Sequence, residues 1–227
     1  MSFPDFDPRV NNIELAISFV EEYFKLVESK MEEAKHSEMT ALDASYPPDI
    51  QQQHYGEYSA LKRELEYSYD RLVSISRYSI VVLLHMIVET QMRAFCLELQ
   101  KEKKKGREKD KQGKLPSRTF SDFRGGPIEQ SKLYLTKIVG ISLEKNPKWD
   151  NLMTLQKVRD CIIHAYGDVS RSRDQEYLRK LVQQGRYIEI DVDGKLIIRR
   201  DFCEDQIKNF SDFFKELCTK AGWRVAS

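Results

Sequence analysis

A chain of 227 residues, 41% of them hydrophobic and 32% charged, has the length and apolar content to bury a core and lacks the composition of a disordered or fibrous protein. Thirty-seven Lys and Arg face 36 Asp and Glu, a formal net charge of +1, so the overall charge points to no class of partner. The four cysteines, Cys96, Cys161, Cys203 and Cys218, form no C-x-x-C pair, which argues against a disulfide framework or zinc ribbon and reads as small core residues in a reducing compartment.

The opening "MSFPDFDP" has neither the basic nor the apolar part of a signal peptide. The most apolar run, residues 79–88, is too short for a bilayer and contains His85. A cytoplasmic protein with no membrane part is expected. The charge is unevenly distributed: residues 1–60 carry twelve acids against four bases, a balance of −8, leaving +9 for the remainder. A basic body attracts polyanions.

In chain order, Ile13, Ile17, Val20, Phe24 and Val27 recur three and four apart within residues 12–35 and predict an amphipathic helix. The stretch "ALDASYPPDIQQQHYG" breaks it with Pro47, Pro48 and Gly56. Residues 57–105 contain neither glycine nor proline and keep a helical rhythm through Tyr58, Leu61, Leu65, Leu72, Ile75, Leu83, Ile87 and Leu97. One very long helix or two nearly collinear ones follow, with residues 81–92 as the centre of the core.

The next stretch, residues 101–126, reads as a basic flexible loop; its first fourteen residues hold eight bases and three acids. Lys103, Lys104, Lys105 and Arg107 are its candidate contacts to an RNA backbone, of the non-specific, salt-sensitive kind. A helix resumes at Pro127 with Ile128, Leu135 and Ile138 as its stripe. Another spans residues 151–166, with Asp150 as N-cap, Leu152, Leu155, Val158, Ile162 and Ala165 as its seam, and Gly167 as its stop. The alternation in "YIEIDVDGKLIIRR" predicts a β-hairpin over about residues 187–200 with a two-residue turn at Asp193-Gly194. A closing helix over residues 204–221 buries Ile207, Phe210, Phe214 and Leu217. The fold class is mainly α, a helical bundle with a small late hairpin and a C-terminal helix. It divides into an acidic N-terminal helix and linker (1–56), a helical core (57–169) and a hairpin with the last helix (170–227).

The chemistry concentrates in "KVRDCIIHAYGDV", residues 157–169. Asp160 and His164 are four apart and share a helix face, whereas Arg159 and His164 diverge by about 140°. One chain does not bring that arginine and histidine together easily; a second copy related by a two-fold axis would place two of each around one groove. Arginine grips phosphate oxygens with a planar, permanently charged fork. Histidine takes or gives a proton near neutrality, and in the last helical turn it neighbours carbonyls that attract cations. No hydroxyl or thiol nucleophile stands beside it, and His36, His54, His85 and His164 are far apart in sequence, so no metal or other cofactor is expected. Acid–base work on an RNA phosphodiester, with the ribose 2′-OH as nucleophile, fits these groups. His85 and Glu89, four apart in the most apolar helix, read as satisfying each other or a residue across the bundle, with Glu89 a candidate accessory group.

The stretch "RDCIIH" resembles the R-x4-6-H signature of the HEPN superfamily. "LQKVRDCIIHAYGDV" is similar to that family's final core helix, and "SIVVLLHMIVETQMRAFCLEL" to its other central helix. The likeness covers about residues 58–169 without the basic loop. It implies a HEPN-like bundle of long antiparallel helices that dimerises through the motif helix. The activity it implies is that of a metal-independent endoribonuclease leaving 2′,3′-cyclic phosphate, acting as a toxin or an anti-phage defence effector. Arg159 would bind the scissile phosphate, His164 would be the acid–base residue and Asp160 would orient them. "RDCIIHAY" also matches the longer form R-x4-H-x-Y, which makes Tyr166 a candidate modification site for an antitoxin or other defence-system protein. The alternative is a catalytically silent module of the same kind that binds RNA, a nucleotide or a protein partner.

Overall fold

The computed structural model describes residues 7–108 and 118–225, with the side chains of residues 104–108 left out. Helix accounts for 79% of it. Seven α-helices stand among the described residues: α1 (Pro8–Ser45), α2 (Pro48–Gln53), α3 (Tyr55–Glu108), α4 (Pro127–Tyr134), α5 (Pro147–Ala165), α6 (Gln175–Gln183) and α7 (Arg200–Lys220), with strands β1 (Ile188–Ile190) and β2 (Leu196–Ile198) before α7. The fold is mainly α, with a late hairpin and a C-terminal helix.

Several boundaries differ from the sequence reading for physical reasons. Helix α1 runs ten residues past the expected end, through an Ala-containing stretch that nothing interrupts before Pro47 and Pro48. The expected break then holds the short α2, opened by Pro48 at its first turn, where the missing N–H costs nothing. The expected 101–126 loop is helical through Glu108. Beyond residues 109–117 it carries a 3₁₀ turn, Phe120–Asp122, whose buried Phe120 and neighbouring Phe123 pack edge-on to Tyr134. Helix α5 starts at Pro147, and its N-cap is Asn146, whose side-chain oxygen accepts the Lys148 amide at 2.9 Å; Asp150 lies in the first turn instead.

The chain forms two compact units, one of residues 1–18, 82–159 and 205–227, the other of residues 19–81 and 160–204. In the first, Leu84, Val88, Met92, Phe95, Leu152, Leu155 and Val158 are buried with Phe210, Phe213, Phe214 and Leu217. Phe95 lies against Trp223 with ring centroids 4.7 Å apart, and the Arg9 guanidinium sits 3.9 Å above the same indole. After α4 a π-helical turn, Leu135–Val139, leaves the Ile138 carbonyl to accept the ammonium of Lys103.

In the second unit Phe24, Ile80, Cys161, Ile162, Ala165, Leu178, Ile188, Leu196, Ile198 and Phe202 are buried. Glu28, also buried, accepts both arms of Arg77 at 2.8 and 2.7 Å, and the same guanidinium donates to the Ile198 carbonyl at 3.1 Å. Charges taken out of water this far must be matched to this degree. The strands pair antiparallel with Ile188 opposite Ile198 and Ile190 opposite Leu196. The Asp191 amide donates to the Lys195 carbonyl at 2.8 Å, so the loop is the three residues Val192–Gly194 rather than the expected two. Asp191 organises it by accepting the amides of Asp193 and Lys195, and Gly194 takes the left-handed position that a three-residue hairpin loop requires.

All four cysteines are buried free thiols, and burial pushes Cys96, Cys203 and Cys218 up to about 12. The expectation that residues 81–92 are enclosed on most sides is corrected. Val81, Leu84, His85, Val88 and Met92 are buried, but Met86 is 55% exposed and Val82, Leu83 and Ile87 are half-buried. Within α3 the stretch Tyr55–Lys103 contains an 18-residue window long and apolar enough to cross a bilayer, a test that the core helix of a soluble protein also passes.

Candidate functional site

The motif residues stand on the last two turns of α5, held there by an apolar seam. Leu152, Leu155, Val158, Ile162 and Ala165 are all buried, at the spacing read from sequence. That seam decides which way the polar residues face. Arg159 is half-buried, with its Nε out of reach of solvent; Asp160 is half-buried; Ile163 is 44% exposed and His164 is exposed. A single helix thus separates the guanidinium from the imidazole by exposure as well as by rotation, while Asp160 and His164 keep the four-residue spacing of neighbours on one face.

The helix ends in an uncommon way. Tyr166, a residue with a Cβ, takes the left-handed conformation at φ 54°, and Gly167 follows at φ 76°. The Gly167 amide reaches back to the Cys161 carbonyl at 3.1 Å and the Asp168 amide to that of Ala165 at 2.9 Å, which closes the helix end with backbone hydrogen bonds. Two consecutive left-handed residues throw the Tyr166 ring outward, where it is 74% exposed. A non-glycine residue at positive φ is uncommon.

What holds this turn comes from elsewhere in the second unit. Lys195 donates from Nζ to the Tyr166 carbonyl at 3.3 Å, the Leu196 amide donates to the Gly167 carbonyl at 2.8 Å, and the Val169 amide donates to the Gly194 carbonyl at 3.0 Å. The Tyr78 hydroxyl donates to the Leu196 carbonyl from directly over Gly167, and its burial pushes the phenol up. Asp168 accepts from the Ser170 hydroxyl and amide at 2.7 and 2.9 Å; those bonds, with nearby Lys195 and Arg171, hold its carboxyl below the usual range. The hairpin is therefore the brace of the motif helix's end. Neither Tyr78 nor Lys195 was singled out from sequence, and no spacing signal marks either of them.

The other candidates fall apart from this cluster. Glu89 is four residues from His85 on α3, with Oε2 3.7 Å from the buried His85 Nδ1, the juxtaposition expected of the pair. Lys103 is engaged with the Ile138 carbonyl rather than extended into solvent. The side chains of Lys104, Lys105 and Arg107 lie outside the described residues. Among the described residues, no group of three or more His, Cys, Asp or Glu side chains is placed to hold a metal ion. An open groove of about 640 Å³, lined by Leu42, Leu61, Leu65, Tyr69 and Leu72 with Glu38 and Glu64, lies between α1 and α3 in the second unit, and no motif residue lines it.

Comparison with protein-family models, with curated proteins and with solved structures finds no match to this chain.

Proposed function

We propose that the protein is a metal-independent endoribonuclease of HEPN type that works as a two-fold dimer through α5. The observation that carries this reading is the placement of Arg159-x4-His164 on the final two turns of α5 with Tyr166 just beyond its end, His164 and Tyr166 being exposed and Arg159 half-buried. Cleavage by this route needs a cation on the phosphate, a base for the 2′-OH and an acid for the departing 5′-oxygen. One copy supplies one guanidinium and one imidazole that face apart. Two copies, meeting at the helix end where Ile163 leaves apolar surface exposed, supply two of each. One His164 takes the 2′-OH proton as that oxygen attacks phosphorus; the other protonates the 5′-oxygen as its bond to phosphorus breaks, leaving a 2′,3′-cyclic phosphate. Arg159 neutralises the phosphorane charge, and Asp160 orients the imidazole one turn above it.

A cytoplasmic toxin or defence effector is the biological setting this reading suggests. The exposed Tyr166 ring is then within reach of a modifying antitoxin. The test is incubation of the purified protein with total RNA in EDTA, followed by mapping of the cut ends. Wild type is expected to leave cyclic phosphate termini, and Arg159→Ala and His164→Ala are each expected to lose cleavage by about a hundredfold or more with unchanged circular dichroism. Cleavage retained in either variant, or abolished by chelation in wild type, refutes the assignment. RNA binding without cleavage in wild type would favour the silent binding module instead.

A further inference from the structure

The segment that follows the motif helix is a basic, largely exposed stretch of the second unit. Residues 171–186 hold Arg171, Arg173, Arg179, Lys180 and Arg186 against Asp174 and Glu176, a balance of +3. All five cations are exposed. Arg199 and Arg200 of the same unit are each held by a carboxylate, at 2.6 Å from Glu189 and 2.8 Å from Glu204; none of the five enters an ion pair among the described residues. The fold explains the exposure. Helix α6 turns Leu178 and Leu181 inward, and at 100° per residue that sends Arg179 and Lys180 outward. The 3₁₀ turn Val169–Arg171 and β1 both pack against α6.

Two exposed tyrosines bracket this basic segment. Tyr166 precedes it and Tyr187 follows it, 46% exposed at φ 57°. Both sit in the left-handed region that side chains with a Cβ rarely take, and the residues on either side of β2 pin both: the Tyr166 carbonyl accepts Lys195 Nζ at 3.3 Å, and the Tyr187 carbonyl accepts the Arg199 amide at 2.9 Å. At about 3.3 Å per residue, the anchors at Lys195 and Arg199 stand about 13 Å apart along β2. Cations that track a phosphate backbone, interleaved with ring faces on which bases stack, are the physical signature of single-strand recognition.

We infer that Tyr166, Arg171, Arg173, Arg179, Lys180 and Tyr187 form a binding surface for single-stranded RNA that leads into the helix end bearing His164. As a substrate path the surface rests on the nuclease reading; as a binding surface it stands alone. It also moves the polyanion contact from the basic run at the end of α3 to the segment between α5 and β1.

The test is fluorescence anisotropy of a labelled, unstructured oligouridylate, titrated with protein at several salt concentrations in a His164→Ala background so that the probe stays intact. Replacing Arg171, Arg179 and Lys180 together by Gln is expected to weaken binding at least tenfold at low salt and to reduce the slope of log affinity against log salt by about 2, at about 0.7 per cation on a single strand. Tyr187→Ala is expected to weaken binding about tenfold while leaving the slope unchanged. A duplex of the same length, whose bases are already stacked, is expected to bind more weakly. Wild-type affinity and slope in the triple variant, or equal affinity for duplex and single strand, would overturn the surface. Those failures leave a cleavage result untouched. Conversely, RNA binding that depends on these residues in a wild-type protein that never cuts RNA removes the nuclease reading and keeps the surface.

Discussion

Gly167→Ala is the sharpest test of the claim that the hairpin braces the motif helix. Gly167 adopts φ 76°, where a Cβ costs roughly 1–2 kcal/mol. A methyl built there would stand 2.4 Å from the Tyr78 hydroxyl and 2.9 Å from two carbons of its ring. The ring has little room to withdraw, because its hydroxyl donates to the Leu196 carbonyl on β2. Moving it loses a hydrogen bond of about 1 kcal/mol. The expected destabilisation is therefore about 2–3 kcal/mol, or a urea midpoint lower by about 1–1.5 M for a slope of about 2 kcal/mol/M. Far-UV circular dichroism is the signal to follow, since both tryptophans, Trp149 and Trp223, lie in the other unit. Adding Tyr78→Phe removes the closest atom, so the double variant should lose about 1 kcal/mol less than the sum of the singles. If Gly167→Ala matches wild type within about 0.5 kcal/mol, or the two changes simply add, Tyr78 does not clamp this turn.

Two further outcomes follow from single side chains. Lys220, then Lys148, lower the Glu216 carboxyl below its ordinary value of 4.5. A depressed folded value means the stability Glu216 contributes is complete above about pH 4.5 and drains away as pH falls through that lower value. Glu216→Gln should accordingly be less stable than wild type at pH 7, with the gap closing as pH falls through the lowered value, read by chemical denaturation; a gap that persists in acid would show that the charge is not what matters. Tyr166→Gly should be more stable than Tyr166→Ala by about 1 kcal/mol, because only glycine relieves the strain of the left-handed position, and thermal melts of equal or reversed order would contradict it.

What could be read from the sequence tracks the range of the interaction responsible. The seam of α5 and the continuity of α3 were legible because helical periodicity is local and neither helix is interrupted by glycine or proline between its ends in the readable stretch. The motif's polar spacing was legible for the same reason, and so was the divergence of Arg159 from His164. Helix α6 was missed because nine residues with two buried leucines give a weak pattern amid charge. The N-cap of α5 was placed four residues late although Asn146-Pro147 carries the start signal, because Asp150 offers the same chemistry nearer the apolar seam. Tyr78 reaches Leu196 across 118 positions, and no spacing rule reports a contact of that range. The solvent-facing side of residues 81–92 was misjudged because an apolar helix face looks the same in sequence whether its neighbour belongs to the same chain or to another molecule.

The left-handed tyrosines tie the fold to the site more firmly than the motif does alone. On stability grounds the position after α5 asks for glycine or asparagine, which enter that region with little or no strain. It holds instead a tyrosine whose ring gains little from burial and whose carbonyl is held by a lysine of the hairpin 29 residues downstream. The same strain recurs at Tyr187 with the other end of β2 as anchor. A residue that costs the folded state at two places, and at both leaves its ring exposed, answers to a demand at the surface rather than in the core. Both rings face solvent from a brace that also fixes the end of the His164 helix, so on the proposed reading a strand docked against them would meet the same unit that carries the imidazole.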